Sequence, residues 1–600
     1  MKRPLSLAIA FALSLAAGCS TPESRQNANA PEPAKEELAA TPAGPESRSE
    51  AAAAGTAHAP GDAAKPAADR RERDASPSQP ERKQVMDEPA VAQEALAVTM
   101  MVPPPAPSVV AAPMSQPVPA EVVNRENYAD LDTNPIQRVA EQPVSTFSID
   151  VDSGSYANVR RMLVAGALPP SDAVRAEEMI NYFDYGYAPP ADTQTPFSVT
   201  TELAPAPWNS NRHLLLVGIK GYEVPVERIP AANLVFLIDT SGSMQSPDKI
   251  DLLKQAFAQM VQTLRPQDRV SIVTYAGSAG LVLPSTPGSD QGAILAALDQ
   301  LYAGGSTNGG AGIELAYATA QQHFIAGGVN RVILATDGDF NVGTVDMDAL
   351  KTLVETKRES GIALTTLGFG TGNYNDALSE QLADIGNGNH AYIDTLSEAR
   401  KVLVEELSST MLTIAKDVKI QMEFNPGVVA EYRLIGYENR ALRREDFNND
   451  KVDAGEIGAG HDVTALYELA LVGSGGESVD PLRYGNGAAS TRAANGELGF
   501  LRLRYKAPNA DTSRLIEQPI ALASMRKRAS ERLEFAASVA AFADSLRGSK
   551  HLGTWTLDDV ATLAQGARGK DLDGYRGEFV ALVEQARNLK AAASPVAIAD

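Results

Sequence analysis

Asp239, Ser241 and Ser243 place one carboxylate and two hydroxyls on alternate residues of the run Asp239-Thr240-Ser241-Gly242-Ser243. Hard divalent cations select oxygen donors of this kind over nitrogen or sulfur. Two later segments carry one further oxygen donor each. Thr307 lies in the glycine-rich run from Gly304 to Gly310, and Asp337 in Ala335-Thr336-Asp337-Gly338. Five hard donors, only two of them charged, leave a divalent ion partly unneutralised and able to attract an anion. Taken singly, each segment has a plainer explanation as a helix cap or a turn. Asp339 is read as a turn residue.

Metal chemistry requires that these segments converge, and the surrounding pattern supplies the means. Leu234 to Ile238 is an uninterrupted apolar run ending at Asp239, as expected of a strand covered on both faces. Downstream, Ile250, Leu253, Phe257, Met260 and Leu264 recur at helical spacing, and Val270 to Tyr275 reads as a strand. Helices are expected over 293–301, from 310 to Phe324, over 346–359, near 375–385 and, as one long element, over 396–413. Strands are expected at Arg331 to Ala335, Ile362 to Phe369 and His390 to Ile393. This alternation predicts an α/β fold with a doubly wound, mostly parallel sheet. In such a sheet, ligands bind where loops meet at the carboxyl ends of the strands, which is where all three oxygen clusters fall.

The flanks differ in character. Lys2 and Arg3 precede an apolar run from Leu5 to Ala17 that suits a signal peptide, and Cys19 is the one cysteine of the chain. Residues 20–123 are rich in Ala, Pro, Glu and Ser, and are expected to form a disordered tether. An N-terminal region over 124–231 contains strand candidates at Thr146 to Val151, Phe197 to Leu203 and His213 to Ile219, with short helices at Tyr156 to Leu163 and Arg175 to Phe183. Within it, Asp150, Asp152, Ser153 and Ser155 read as a strand end and a helix N-cap rather than a cation loop. After the domain at 232–413, alternating strands around Val418 to Phe424, Val463 to Leu471 and Leu501 to Tyr505 give way to helices. Residues 415–595 are therefore read as a separate α+β domain. The series Asp446, Asn448, Asp450 is not a calcium loop, because Lys451 and Ile457 stand where the glycine and final glutamate are required.

The five donors, in this order, resemble the metal-ion-dependent adhesion site (MIDAS) of von Willebrand factor A (VWA) domains, a Rossmann-like fold. That resemblance implies that Ser241, Ser243 and Thr307 reach a cation, usually Mg²⁺ with Mn²⁺ or Ca²⁺ as alternatives. Asp239 and Asp337 would hold it directly or through water, and a protein partner would supply a carboxylate to the open place. Wider features, including the 124–190 leader, the segment from Asp446 to His461 and Val463-Thr-Ala-Leu-Tyr-Glu, resemble the bacterial YfbK-type lipoproteins. Ala16-Ala17-Gly18-Cys19 is similar to a lipobox, which implies acylation at Cys19, a membrane anchor in the cell envelope and a periplasmic body. Ser20 favours the outer membrane by the same resemblance.

Composition narrows the alternatives. A formal net charge of -22 disfavours nucleic acid as a partner. The six histidines are scattered, with no His-Glu-x-x-His. A Mg²⁺-dependent phosphatase of the haloacid-dehalogenase kind is the enzymatic alternative, but its usual general acid, two residues after the nucleophile, is here Ser241. A structural envelope protein whose metal only stabilises the fold is the third reading. No catalytic residue is assigned.

Overall fold

Strand Ala232–Asp239 is buried along its whole length and hydrogen-bonds in parallel to Arg269–Tyr275 on one side and Val329–Thr336 on the other. The computed structural model describes residues 125–130, 132–338, 347–482 and 496–593, all within one unit of the chain, Pro113–Asp600. Cys19, the tether and Asp339 lie outside the described residues. The sheet runs His390–Ile393, Ala363–Phe369, Val329–Thr336, Ala232–Asp239, Arg269–Tyr275, Ala279–Pro287, and only the last strand is antiparallel.

Alternation along the central strand divides the interior in two. Leu234, Phe236 and Ile238 join Leu253, Phe257 and Met260 of helix Leu252–Val261 on one face. Val235 and Leu237 join Ile313 and Tyr317 of helix Gly309–Gln322, with Leu350 and Val354 of helix Met347–Arg358, on the other. Helices on both faces of a mostly parallel sheet give the doubly wound α/β architecture.

The two flanking regions share their sheets. Strands Gln137–Arg138, Phe197–Ala206 and Asn209–Gly221 of the N-terminal region share one antiparallel sheet with Val429–Ile435 and Asp462–Leu471. In a second sheet, Val144–Ser148 pairs with Thr413–Phe424, which continues to Glu497–Lys506 and Ser513–Ala521. Phe147, Val217, Ile219, Ile420, Met422, Tyr467 and Leu503 belong to the apolar core between them. Strands of 124–231 and of 415–595 are therefore interleaved in shared sheets. Leu214, Leu216 and Leu466 carry the first sheet's other face into a helical layer formed by Gly154–Val164, Glu531–Leu546, Leu557–Gly566 and Tyr575–Ala593.

Other differences have local causes. The long helix expected over 396–413 is interrupted by a wide turn at Lys401–Glu405, and the next strand begins at Thr413. That turn carries Lys401 inward, where its ammonium lies 4.4 Å from the centre of the Tyr182 ring and pairs with Glu406. Three strands longer than two residues have no counterpart among those expected from sequence. Ala279–Pro287 is an edge strand that exposes Leu281 and Val282 and contains Gly280 and Pro284. Val429–Ile435 buries Glu431 and Arg433, whose charges conceal its apolar character. Arg212 satisfies Glu431 at 2.6 Å, and Arg433 lies 3.1 Å from Glu468 and 3.0 Å from Asp544. Ser513–Ala521 is another largely exposed strand.

Phe579, on the last described helix, is fully buried with ring centres 5.6 Å from Phe183, 5.6 Å from Phe535 and 5.4 Å from Phe542. Phe579→Ala is expected to lower stability by about 3–5 kcal/mol through the cavity it leaves, measured by denaturant unfolding.

Candidate functional site

The central strand delivers Asp239 to the carboxyl edge of the sheet with no exposed surface. Three donors hold its carboxylate. The Ser241 backbone N–H donates to Oδ1 at 2.8 Å, and the hydroxyls of Tyr275 and Thr336 donate to Oδ2 at 3.1 and 3.2 Å. Both hydroxyls come from the ends of the two strands paired with the central one, so the sheet register itself builds this cradle. The Ser241 and Ser243 hydroxyls lie 2.9 Å apart. Burial is the largest influence on Asp239 and lifts its carboxyl to about 6; the hydrogen bonds from Ser241 oppose this, and the nearby charge of Asp337 adds to it.

The loop that carries Thr307 is fastened to the Ser241 turn by two backbone hydrogen bonds, Gly304 N–H to Thr240 O at 2.8 Å and Gly242 N–H to Gly305 O at 3.0 Å. Thr307 is partly exposed beside it. Asp337 follows strand Val329–Thr336 and is fully buried. The chain turns immediately afterwards at Gly338, with φ +81°, where a Cβ would lie 2.2 Å from the Asn375 nitrogen. The structure thus hydrogen-bonds Asp239, Ser241 and Ser243 together, sets Asp337 within electrostatic reach and ties the Thr307 loop alongside.

Four participants were not found from sequence. Thr336 and Tyr275 cradle Asp239, while Lys249 and Asn373 act on Asp337. The Lys249 ammonium, on a buried side chain, lies 3.0 Å from Asp337 Oδ2 and donates to Asn373 Oδ1 at 2.8 Å. Asn373 donates in turn to Asp337 at 3.2 Å. Room for the lysine stem exists because residue 370 is glycine, since a Cβ there would lie 2.2 Å from Lys249 Cγ. Thr336 and Tyr275 were detectable in principle, because each ends a strand adjacent to the central one. Lys249 carried no such signal and reads as an ordinary polar position at the start of a helix.

Sequence comparison adds to this geometry. Residues 233–407 match the von Willebrand factor type A domain, 122–216 match a family described as von Willebrand factor, and 409–589 match the C-terminal region of YfbK. The chain is 50% identical over 467 residues to the uncharacterized protein YfbK of Escherichia coli (strain K12), across 76% of this chain and 80% of that protein. The chain belongs to the YfbK family of VWA proteins. More distant similarity extends to the human inter-alpha-trypsin inhibitor heavy chain H3, 25% identical over 260 residues, covering 40% of this chain and 28% of that protein. Among solved structures, a von Willebrand factor type A protein from Catenulispora acidiphila aligns with 66% of the chain and 91% of its own length, at 17% identity and a TM-score of 0.38. VWA domains typically bind a divalent metal and commonly serve in protein interaction, and YfbK-like proteins are generally not enzymes. The donor set here is all oxygen, as a hard cation requires, and Lys249 offsets one of its two carboxylates.

Two outcomes follow for the chelated protein. Because Asp239 titrates near 6 when folded and near 3.9 when unfolded, its contribution to stability is full below about pH 4 and is lost as pH rises through 6. Asp239→Asn is expected to remove this slope of up to about 1.4 kcal/mol per pH unit, read as the difference between wild-type and variant unfolding from pH 4 to 7. Lys249→Met leaves Asp337 buried without its ammonium and is expected to cost about 3–5 kcal/mol in chelator, with saturating Mg²⁺ narrowing the gap in thermal melts.

Proposed function

We propose that the chain is a divalent-metal-dependent protein-binding module, with Asp239, Ser241, Ser243, Thr307 and Asp337 forming a MIDAS. The observation that carries this reading is the convergence of two buried carboxylates and the Ser241–Ser243 hydroxyl pair at one edge of the sheet, with the Thr307 loop fastened beside them. Mg²⁺ suits the site, with Mn²⁺ and Ca²⁺ as alternatives of the same hard character. The bound ion supplies an electrophilic point for an acidic ligand. The protein's own residues orient it: Tyr275, Thr336 and the Ser241 N–H fix Asp239, while Lys249 and Asn373 fix Asp337.

Lys249 also reduces the negative charge around the ion, which favours recruitment of a carboxylate from a partner over saturation of the metal by the protein itself. A phosphatase reading is disfavoured by the position two residues beyond Asp239, where the Ser241 hydroxyl is engaged with Ser243 instead of offering a second acid. The lipobox-like sequence at Cys19 supports acylation and presentation from the envelope membrane, on the outer membrane in preference to the inner, facing the periplasm. No helix among the described residues is long and apolar enough to cross a membrane.

The test is retention of envelope proteins on the immobilised chain in Mg²⁺. Partners are expected to elute with EDTA and to be absent from Asp239→Ala and Ser241→Ala columns, with circular dichroism verifying that both variants are folded. Retention unchanged by chelator and by both substitutions would reject the proposal.

A further inference from the structure

Asn373, which holds Asp337, lies outside the three segments that supply the metal donors. It belongs to the loop 370–375, between strand Ala363–Phe369 and helix Asp376–Ile385. Both ends of its amide are engaged at the site, since Nδ2 donates to Asp337 Oδ2 at 3.2 Å and Oδ1 accepts from Lys249 at 2.8 Å. The same loop backs the turn after Asp337, where Gly338 packs against the Asn375 nitrogen. What fixes the loop therefore bears on Asp337.

Side-chain packing does not fix it at Gly372, which has φ +94° and would meet no atom within 4 Å if it carried a Cβ. The leader does so instead. The Arg125 N–H donates to Gly372 O at 2.9 Å, the Asn127 N–H to Tyr374 O at 3.0 Å, and the Asp376 N–H to Asn127 O at 3.1 Å. The Asn127 side chain adds a bond to Asn375 Oδ1 at 3.2 Å.

Glu126 completes this grip. Its Oε1 accepts from the Gly372 N–H at 2.9 Å, so both backbone groups of Gly372 are bound to the leader. A hydrogen bond from a backbone N–H to an ionised carboxylate is about twice as strong as one between neutral groups. The Glu126 side chain is 3% exposed and is itself held, with Arg161 donating to both oxygens at 3.1 Å and the Tyr128 hydroxyl to Oε2 at 3.0 Å. Residues 125–127 thus lie along the loop as a strap. Gly372 and Tyr374 are fastened to it, and Asn373 between them reaches Asp337.

We infer that residues 125–127 set the hold of Asn373 on Asp337, which makes Glu126 a positioning residue of the metal site; this rests on the MIDAS reading of that site. Glu126 acts through Gly372 and Asn373 and touches neither the cation nor a partner. Residue 125 continues into the chain that leads back to Cys19. In the acylated protein proposed above, a pull on that chain reaches the strap first, and loosening the strap releases Asn373 from Asp337 and weakens metal binding.

The experiment measures Mn²⁺ binding to the full chain by titration calorimetry, with Asp239→Ala as the control for the site. Removing a group that orients a metal ligand lowers metal affinity about 10–100-fold, and Glu126→Ala is expected at the low end, with Kd raised about tenfold. Glu126→Gln keeps an acceptor for the Gly372 N–H and is expected to recover most of that loss. In an Asn373→Ala chain, Glu126→Ala is expected to change Kd no further, because both substitutions break one link. Linkage also makes the effect reciprocal, which needs no variant. In the wild-type chain, Mg²⁺ is expected to slow hydrogen exchange at the Asn127 and Gly372 amides more than in helix Glu531–Leu546, and this measurement decides if Glu126→Ala does not fold. A wild-type Kd in Glu126→Ala, additive effects in the double variant, or exchange at Asn127 and Gly372 that Mg²⁺ leaves unmoved would overturn the inference and leave the metal site standing. Failure of Mn²⁺ to bind the wild-type chain, or equal binding to Asp239→Ala, would overturn the MIDAS reading and the inference together.

Discussion

Placing an ionised carboxylate at the end of a strand covered on both faces is the constraint around which this protein is arranged. Removing a charge from water is costly unless hydrogen bonds and opposite charge replace the lost solvation. Asp239 receives its replacement from the strands that also bury it. Parallel pairing with Arg269–Tyr275 and Val329–Thr336 brings the Tyr275 and Thr336 hydroxyls to the same oxygen, so the sheet's register is also the site's geometry. A slip of either neighbour by one residue would turn its donor to the other side of the sheet. Asp337 is balanced differently, by a lysine from outside the sheet, and so the two carboxylates differ in their surroundings although they approach one point.

The same economy operates in the flanks with different chemistry. Buried arginines there act as connectors between segments far apart in sequence. Arg433 joins Glu468 to Asp544, and Arg160 bonds Glu398 at 2.7 Å and Glu578 at 2.9 Å, linking leader, VWA domain and C-terminal helix. Such contacts are strongly directional and leave an expensive unpaired charge when they are misassembled, so they select one arrangement of apolar surfaces that would otherwise tolerate several.

What could be read from the sequence follows from how each feature is stabilised. The central strand was legible because double-sided burial produces an uninterrupted run from Leu234 to Ile238, and the oxygen clusters were legible because hydroxyl and carboxylate spacing is chemically conspicuous. Helix Leu557–Gly566 is likewise fixed by a local signal, the capping box of Thr556 and Asp559. Strand Val429–Ile435 was hidden by Glu431 and Arg433, whose burial makes sense only with partners 35 to 219 residues away in sequence. The reading of Asp150, Asp152 and Ser153 as a strand end and cap failed to capture their surroundings for the same reason. Ser153 does precede helix Gly154–Val164 but makes no side-chain cap, while both aspartates face Arg440. Lys249 was invisible because its role depends on Asp337, 88 positions later, and on the space left at Gly370. Local pattern reveals features that local physics stabilises, and the others require the fold.

The shared sheets around the VWA domain also set an order for synthesis. The segment from Ala232 to Ile393 contains every strand of the parallel sheet, so that sheet can close as soon as this contiguous stretch has left the ribosome. Strand Val144–Ser148, made much earlier, must wait for Thr413–Phe424 before its backbone groups are paired, and Asn209–Gly221 must wait for Asp462–Leu471. During that interval the nascent chain exposes two unfinished sheet edges, the kind of surface that invites pairing with other chains. An inserted domain that folds early shortens the effective loop between the waiting strands and their partners. The order of emergence thereby lowers the entropic cost of the slowest pairings.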